Sequence, residues 1–449
     1  MVDLSAWASK AKHVVAICGG AVSGSEAAVL CAQRGVSALV FEQNRRPYGK
    51  IEDGLPRWHD KLRAKEYELI DGNLAADNVL YVPQTLVGRD LSFAQLRDDW
   101  GVSAVLLATG AWRDRSLPVP GADAFVDRGL LYQNPFVHWF NHYEEPDYDG
   151  PRYQVPDGAI VVGGGLASVD VAKIINLELY RRALSDRGLP TSVVELEHRG
   201  IGPTLASHGL SAADLGVAGA TIYYRRRVAD MPVAFPRDES EAAKVKVASV
   251  REKLVGVLEK KFLIRVEPCR LPVAPIEEDG RLVGLQFRRT ELVDGRVKEV
   301  ADSDHEVRAP LVISSIGSVP AITEGLPMKG ELIDFADWDT GEVRGLPGVF
   351  GLGNALTGKG NIKDSRKSAR EVTERLLADY MGLGDSGQLD ADAMSGAHQG
   401  ARAQAAAAVA EVVKREPLAP DRLARIAGLL EARWQAVGYG GDYRSWVAR

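Results

Sequence analysis

Two glycine clusters, and the residue types that close the strands after them, carry most of the chemistry that this sequence spells out. The first is Gly19-Gly20-Ala21-Val22-Ser23-Gly24, preceded by the β-rich run Val14-Val15-Ala16-Ile17 and followed by the helix-like stretch SEAAVLCAQRG. Strand, glycine turn and helix in that order make a pyrophosphate site, because free N–H groups and the positive end of the helix dipole face the anion. Gly19 permits the tight turn and Gly24 lets the helix lie close to the strand. Gly35 stops the helix, and the next strand, VSALVFEQ, ends in Glu42, 18 residues after Gly24. A carboxylate at that point accepts hydrogen bonds from ribose hydroxyls. Ala21 occupies the middle glycine position, where its methyl group slightly crowds a pyrophosphate. The bland alternative is a glycine-rich turn with no ligand. The ordered set of strand, loop, helix, strand and acid outweighs it.

The second cluster repeats the logic with one difference. Ile160-Val161-Val162 leads into Gly163-Gly164-Gly165-Leu166-Ala167-Ser168 and then VDVAKIINLELY. The following strand, GATIYYRRR, closes on Arg225, Arg226 and Arg227 instead of an acid. An acid repels a 2′-phosphate, whereas guanidinium groups bind it bidentately, so NADP(H) is expected here. The competing reading of the triplet is a solvated strand end. The interval from Gly163 to Arg225 is 62 residues, against the usual ~20. An insertion is therefore expected within ALSDRGLPTSVVELEHRGIGPTLASHGLSAADLGVA. Two loops imply two nucleotides, and the natural pair is FAD on the first and NADPH on the second. NADPH gives a hydride, and a flavin receives it and can release electrons singly.

The elements that must position these loops fit an ordinary globular chain. There are 449 residues, 45% hydrophobic and 26% charged, enough for about three domains. A net charge of −6 argues against a general nucleic-acid binder. No apolar run approaches the ~18 residues of a membrane span, and no secretory h-region precedes Val14, so a cytoplasmic, reducing setting is expected. Cys18, Cys31 and Cys269 lie far apart with no C-x-x-C pair, which excludes a closely spaced redox disulfide and a four-cysteine cluster or zinc site. They read as small buried hydrophobes. His138 and His142 are four apart in HWFNH, a spacing that can hold a metal on a helix. No carboxylate follows in the H-E-x-x-H manner, so they read as structural or surface histidines, with no metal expected. Ser168 sits in GGLAS, which is not a G-x-S-x-G nucleophile elbow.

Five stretches then resemble the adrenodoxin reductase type of ferredoxin–NADP(+) reductase, and somewhat less closely the small subunit of glutamate synthase. They are the first loop with Glu42 running into RPYGKIEDGLPRWH, TLVGRDLS with VSAVLLATGA, NPFVHWFN, RRRVADMPVAFPRDESE, and VFGLGNALTGKGNIKDS. The resemblance implies that Ser23 and Glu42 contact FAD, with Gly49 and Lys50 in the turn near the flavin and Val87 on the adenine. It implies that Gly353, Asn354, Gly358, Lys359 and Gly360 line the flavin's far side. Leu166, Ala167, Ser168, Arg226, Arg227 and Glu239 would contact NADP. His59 matches a histidine beside the flavin. His59 and Glu239 are thus the residues placed nearest the chemistry, with orientation and tuning as their expected roles. Lys50 stands where the family has an apolar residue or glycine, and Asn354 where it has aspartate or tryptophan. A lysine at that point favours the anionic reduced flavin.

The fold class expected is α/β, with two Rossmann-like dinucleotide-binding domains of the glutathione reductase-like, two-dinucleotide-binding flavoprotein kind. The FAD domain is discontinuous, 1–115 and 345–449, and the NADP domain is 116–344. Within the latter, RLPVAPIEEDGRLVGLQFRRTELVDGRVKEV alternates around two acidic-glycine turns and reads as a small antiparallel sheet. APLVISSIGSVP reads as a strand returning to the FAD domain. From about 385 the tail is helical, and Leu423, Ile426, Leu430, Trp434 and Val437 form one stripe at helical spacing. Packing on its own domain is favoured for that stripe over docking of a partner subunit. Lys359, Lys363, Arg366, Lys367 and Arg370 form a basic cluster that steers an acidic carrier such as ferredoxin, or is a solvated face balanced by Glu371 and Glu374. The leading expectation is an NADPH-dependent flavoprotein reductase serving ferredoxin or a similar one-electron protein. Its alternatives are an electron-input subunit of a larger complex, and a flavin-bound scaffold or sensor without turnover.

Overall fold

The structure, a computed structural model, describes residues 2–236, 238, 240–338, 341–357 and 387–448. Its first layer is a seven-stranded sheet in the order Phe335–Asp337, Glu342–Val343, Val349–Gly351, Ala104–Leu107, Val14–Cys18, Ser37–Phe41, Val79–Val82. The last five of these run parallel. Val14–Cys18 and Ser37–Phe41 are buried at every position. That is why they read as unbroken apolar runs: a parallel sheet is covered on both faces. The Val22–Gln33 helix packs beside Val14–Cys18, and its residues Ala27, Ala28, Leu30 and Cys31 enter the same core.

The second sheet holds five parallel strands in the order Leu130–Tyr132, Val312–Ser314, Ile160–Val162, Thr221–Tyr224, Arg265–Pro268. The Leu166–Ser185 and Glu241–Lys261 helices contribute to the core on one face. On the other lies the expected antiparallel sheet, formed by Arg270–Glu278, Arg281–Val293, Arg296–Glu299 and His305–Arg308. Its Leu282, Leu285 and Phe287 pack on Leu130, Ile160, Val162 and Val312. Both tight turns of this sheet, Asp279-Gly280 and Asp294-Gly295, have positive φ at both central residues. That is the type I′ geometry whose twist matches a hairpin and which Asp-Gly adopts most readily. The insertion expected after the second loop is present as three short helices, Val193–Arg199, Ile201–Ser207 and Ala212–Leu215.

Two boundaries differ from expectation. The APLVISSIGSVP strand, Val312–Ser314, stays in the second sheet, where Val312 and Ile313 pair with Leu130 and Leu131. An apolar strand carries no label for the sheet it joins. The crossing follows it, where Ser318–Val319 pairs antiparallel with Arg113–Asp114. The chain then rejoins the first sheet at Phe335, ahead of residue 345. The tail belongs to the first core: Ala405, Ala408, Val409 and Val412 of the Gly387–Val412 helix are buried there, as are Leu423, Ile426, Leu430 and Trp434 of the Pro420–Val437 helix. Val437 is partly buried against the same core. Trp434 Nε1 donates to the Tyr81 carbonyl at 2.8 Å and Trp446 Nε1 to the Arg45 carbonyl at 2.9 Å. The stripe is spent on its own domain.

A candidate two-nucleotide site

The first loop closes as its residue types require. Gly19 has φ +101° and donates to the Phe41 carbonyl at 2.7 Å, which turns the chain between strand and helix. Any side chain at Gly24 would overlap the Gly19 carbonyl oxygen, so only glycine lets the helix come this close. The helix starts at Val22 with no side-chain cap, and the first-turn N–H groups of Val22, Ser23 and Gly24 have no partner in the helix itself. Uncapped donors at the N-terminus of a twelve-residue helix suit an anion. Glu42 is buried and accepts from Gly20 N at 2.8 Å and Asn44 N at 3.0 Å. Burial pushes its carboxyl up to about 7, against the pull of those two N–H groups. Added hydroxyl donors from a ribose favour the charged form further.

These groups face one cavity of about 790 Å³ that joins both sheets. Its first-sheet wall includes Gly19, Ala21, Ser23, Glu42, Gly49, Lys50 and Val87, together with Thr109 and Gly110 of the A-T-G segment. Gly353 and Asn354 close another side. The second-sheet wall brings in Leu166, at the start of the second-loop helix, and Val233, Ala234 and Phe235. Gly49 has φ +50°, and a Cβ there would stand 2.9 Å from the Ala21 methyl. The methyl that replaces the loop's middle glycine thus fills space that Gly49 leaves open. Gly353 is held similarly: it has φ +57°, and a Cβ on it would overlap Ser23 Oγ.

Other sequence-named residues lie elsewhere. Gly163 and Gly164 admit no Cβ, because Ser168, Ser315 and the Tyr224 ring stand against them. Gly165 caps the second helix. Ser168 is fully buried and its hydroxyl donates to the Ser315 carbonyl at 2.9 Å, so that side chain holds the loop to the next strand. Ala167 is exposed on the first turn of the same helix. Arg225, Arg226 and Arg227 follow directly on the Thr221–Tyr224 strand: Arg225 and Arg227 are exposed and Arg226 is half-buried. Arg227 binds Asp230 through two nitrogens, at 2.8 and 3.1 Å. His59 precedes the Asp60–Leu74 helix, with its Nε2 2.9 Å from Trp58 Nε1, and is not in the cavity wall. Glu239, Gly358, Lys359 and Gly360 lie outside the described residues, as do Lys363, Arg366, Lys367 and Arg370.

Lys50 lines the cavity, yet its ammonium is engaged at the crossing between the sheets. It donates to Asn134 Oδ1 at 3.1 Å and Ser318 Oγ at 3.3 Å, and lies 5.5 Å from the centre of the Trp112 ring. Burial lowers its pKa to about 8, against the attraction of Asp114. Burial likewise raises Asp114 to about 6. A lysine whose pKa is lowered by burial at the cavity wall is a charge whose state depends on what else fills the site.

The sequence did not mark one wall. Met394, Gly396, Ala397, Gly400, Ala401 and Gln404 of the tail helix line the cavity. Gln404 Oε1 accepts from Gly353 N at 2.7 Å, so the tail fixes the loop that closes the site. His398 pins the same helix, 3.0 Å from Glu26 Oε1 on the first-loop helix and 2.6 Å from Glu66 Oε2 on the Asp60–Leu74 helix. A stripe of small residues at helical spacing was the available signal.

The chain matches no family model. It is 26% identical over 419 residues to the NADPH-ferredoxin reductase FprA of Mycobacterium leprae, covering 85% of this chain and 87% of that one. It is 25% identical to the mitochondrial NADPH:adrenodoxin oxidoreductase of Arabidopsis thaliana, covering 72% and 73%. With the glutamate synthase [NADPH] small chain of Mycobacterium tuberculosis it shares 23%, covering 81% and 67%. Both kinds of protein named by the sequence resemblance are therefore among its relatives. In structure it is similar to Mycobacterium tuberculosis FprA in complex with NADPH, with a TM-score of 0.62 at 19% identity over 94% of this chain and 91% of that one. That likeness establishes the two-dinucleotide-binding fold.

Proposed function

We propose that this chain is an NADPH-dependent FAD flavoprotein reductase that passes electrons on to ferredoxin or a similar one-electron protein. The observation that carries the reading is a cavity walled by both glycine-loop units, lined by Ser23 and Glu42 from the first and by Leu166 and Val233–Phe235 from the second. Relatives called NADPH-ferredoxin reductase and adrenodoxin oxidoreductase support the choice of chemistry and acceptor class. FAD fits the first loop on the donor set found there: uncapped N–H groups at the start of a helix that only glycine at position 24 lets lie this close to the strand, and a buried carboxylate at the strand end. Bound there, FAD supplies a site that takes up a hydride and gives back electrons one at a time.

The chain's own residues bind and orient. Val22, Ser23 and Gly24 present N–H groups to a pyrophosphate, and Glu42 accepts from ribose hydroxyls. Leu166 marks the N-terminal turn for the second pyrophosphate, and Arg226 takes the 2′-phosphate. Gly353, held by Gln404, and the apolar Val233–Phe235 segment form part of the cavity wall. Hydride transfer requires no acid or base from the protein, only donor and acceptor held ~3–3.5 Å apart. Orientation and charge tuning by His59 and Glu239 rest on the sequence resemblance alone, since His59 is outside the cavity wall and Glu239 outside the described residues. The tail's apolar stripe is covered by its own core, which favours a self-standing reductase over an electron-input subunit.

The test is direct. Protein purified with FAD should be yellow and should bleach on anaerobic addition of NADPH, then recolour with ferredoxin-type acceptors. Failure to bind FAD ends the reading; reduction without transfer to any one-electron protein ends the acceptor assignment alone.

A further inference from the structure

HWFNH lacks the carboxylate that would complete a metal motif within the segment, and the structure supplies one from elsewhere in the chain. Asp53 ends the Lys50–Asp53 helix, and His138 and His142 stand one turn apart on the Gln133–His142 helix. His142 Nε2 lies 3.0 Å from Asp53 Oδ1, and His138 Nε2 lies 3.9 Å from the same oxygen. One donor atom from each residue falls within 4.8 Å of the others. Tetrahedral zinc with bonds of ~2.0–2.2 Å places its donors roughly 3.3–3.6 Å apart, a spacing that small side-chain rotations reach from here. Two imidazoles and a carboxylate are a borderline nitrogen–oxygen set, suited to zinc and cobalt and poor for magnesium or calcium.

The outer contacts fit as well. His142 Nδ1 lies 2.9 Å from Glu145 Oε1, the carboxylate–histidine pairing that fixes the tautomer and turns the Nε2 lone pair toward Asp53 Oδ1, where a cation would bridge the two. The His142 side chain is 9% exposed and His138 46%. The pair thus offers one buried anchor and one open side, through which an ion enters and a water completes the shell.

We propose that Asp53, His138 and His142 form a binding site for a zinc-class divalent cation, with water as the remaining ligand. The ion joins the Lys50–Asp53 helix, whose Lys50 and Ile51 line the large cavity, to the Gln133–His142 helix that follows the second sheet's Leu130–Tyr132 strand. It acts as a structural staple behind the cavity wall. Neither nucleotide is needed for this assignment.

The test uses the full chain, stripped with a chelator and dialysed. Calorimetric titration with Zn²⁺ should give one saturable site and raise the thermal midpoint. Titration with Co²⁺ should give visible bands of a low-coordinate nitrogen–oxygen site, abolished by one equivalent of Zn²⁺. His138→Ala, at a side chain open to solvent, should weaken binding at least ~10-fold and leave the metal-free midpoint unchanged. Glu145→Gln should weaken it by roughly 10-fold through His142. No saturable Zn²⁺ binding to the parent protein, or binding equally tight in His138→Ala, would overturn the proposal. His142→Ala, which removes the buried ligand, should abolish binding; should it fail to fold, His138→Ala and Glu145→Gln decide the matter alone.

Discussion

The arginines after the second sheet's Thr221–Tyr224 strand yield a selectivity prediction that the structure sharpens. Arg227 is already bound to Asp230 by two nitrogens. Arg226 is half-buried, its backbone carbonyl is held by Cys269 N at 3.0 Å, and its guanidinium feels Asp230 only at longer range, without the paired hydrogen bonds that Arg227 makes to it. Arg226 is therefore the group free to meet a 2′-phosphate. A charge-assisted, bidentate contact is worth about 1.5–3 kcal/mol, and half-exposure places it near the lower end. At ~1.4 kcal/mol per decade, Arg226→Ala should weaken NADPH by roughly 10–30-fold and leave NADH within about twofold. Arg227 must leave Asp230 before it can bind phosphate, and the contact it would then make is itself an exposed ion pair worth about 0–1 kcal/mol, so Arg227→Ala should cost NADPH no more than about fivefold. The assay is anaerobic stopped-flow reduction of the flavin across a range of NADPH and NADH concentrations. Equal loss for both dinucleotides in Arg226→Ala, or no loss for NADPH, would refute the assignment of the triplet to the phosphate.

Three further outcomes follow from contacts around the cavity. Gly24→Ala puts a methyl group on the Gly19 carbonyl oxygen, a backbone atom that cannot yield cheaply, so the purified protein should contain little or no FAD. Gln404→Ala removes the side-chain acceptor that holds Gly353 N, a part-buried hydrogen bond worth about 0.5–1.5 kcal/mol, and should appear as weaker FAD retention on dilution. Burial opposes the charge on His398, but hydrogen bonds to Glu26 and Glu66 outweigh it and raise the imidazole to about 9, above its ordinary 6.5. Arg402 shares Glu26, bound to its Oε2 at 3.1 Å. A raised folded-state pKa means that this latch is complete below pH 6.5 and is lost as pH rises through about 9. The thermal midpoint should therefore fall across that interval, and the fall should shrink in His398→Gln, read by thermal unfolding in matched buffers.

The parts legible in the sequence were those whose chemistry is local. Gly19 and Gly24 announce a strand-to-helix turn, and Glu42 follows at the distance that one strand imposes. Asp279-Gly280 and Asp294-Gly295 announce hairpins because only residues tolerant of positive φ adopt type I′ turns. What the sequence concealed depends on distant partners. Val312–Ser314 is apolar enough for either sheet, and its neighbours, not its own residues, choose. Ser168 follows a glycine cluster in the manner of a binding residue, yet its hydroxyl is spent on Ser315. GARAQAAAAVAEVV reads as a helix, but nothing local says that Gly400, Ala401 and Gln404 turn toward the first loop. Small residues there let the helix approach closely, as the cavity wall shows. Asp53 and His142 are 89 residues apart, with the Asp60–Leu74 helix and four strands between them, so their pairing is invisible until the chain folds.

The most direct test of two nucleotides sharing one cavity is the rate at which NADPH bleaches the FAD-loaded protein without oxygen. If both loops hold their dinucleotides and the cavity brings them together, the rate saturates with NADPH and far exceeds that of free FAD mixed with NADPH. A protein that retains FAD but is reduced no faster than the free cofactor would contradict the shared cavity.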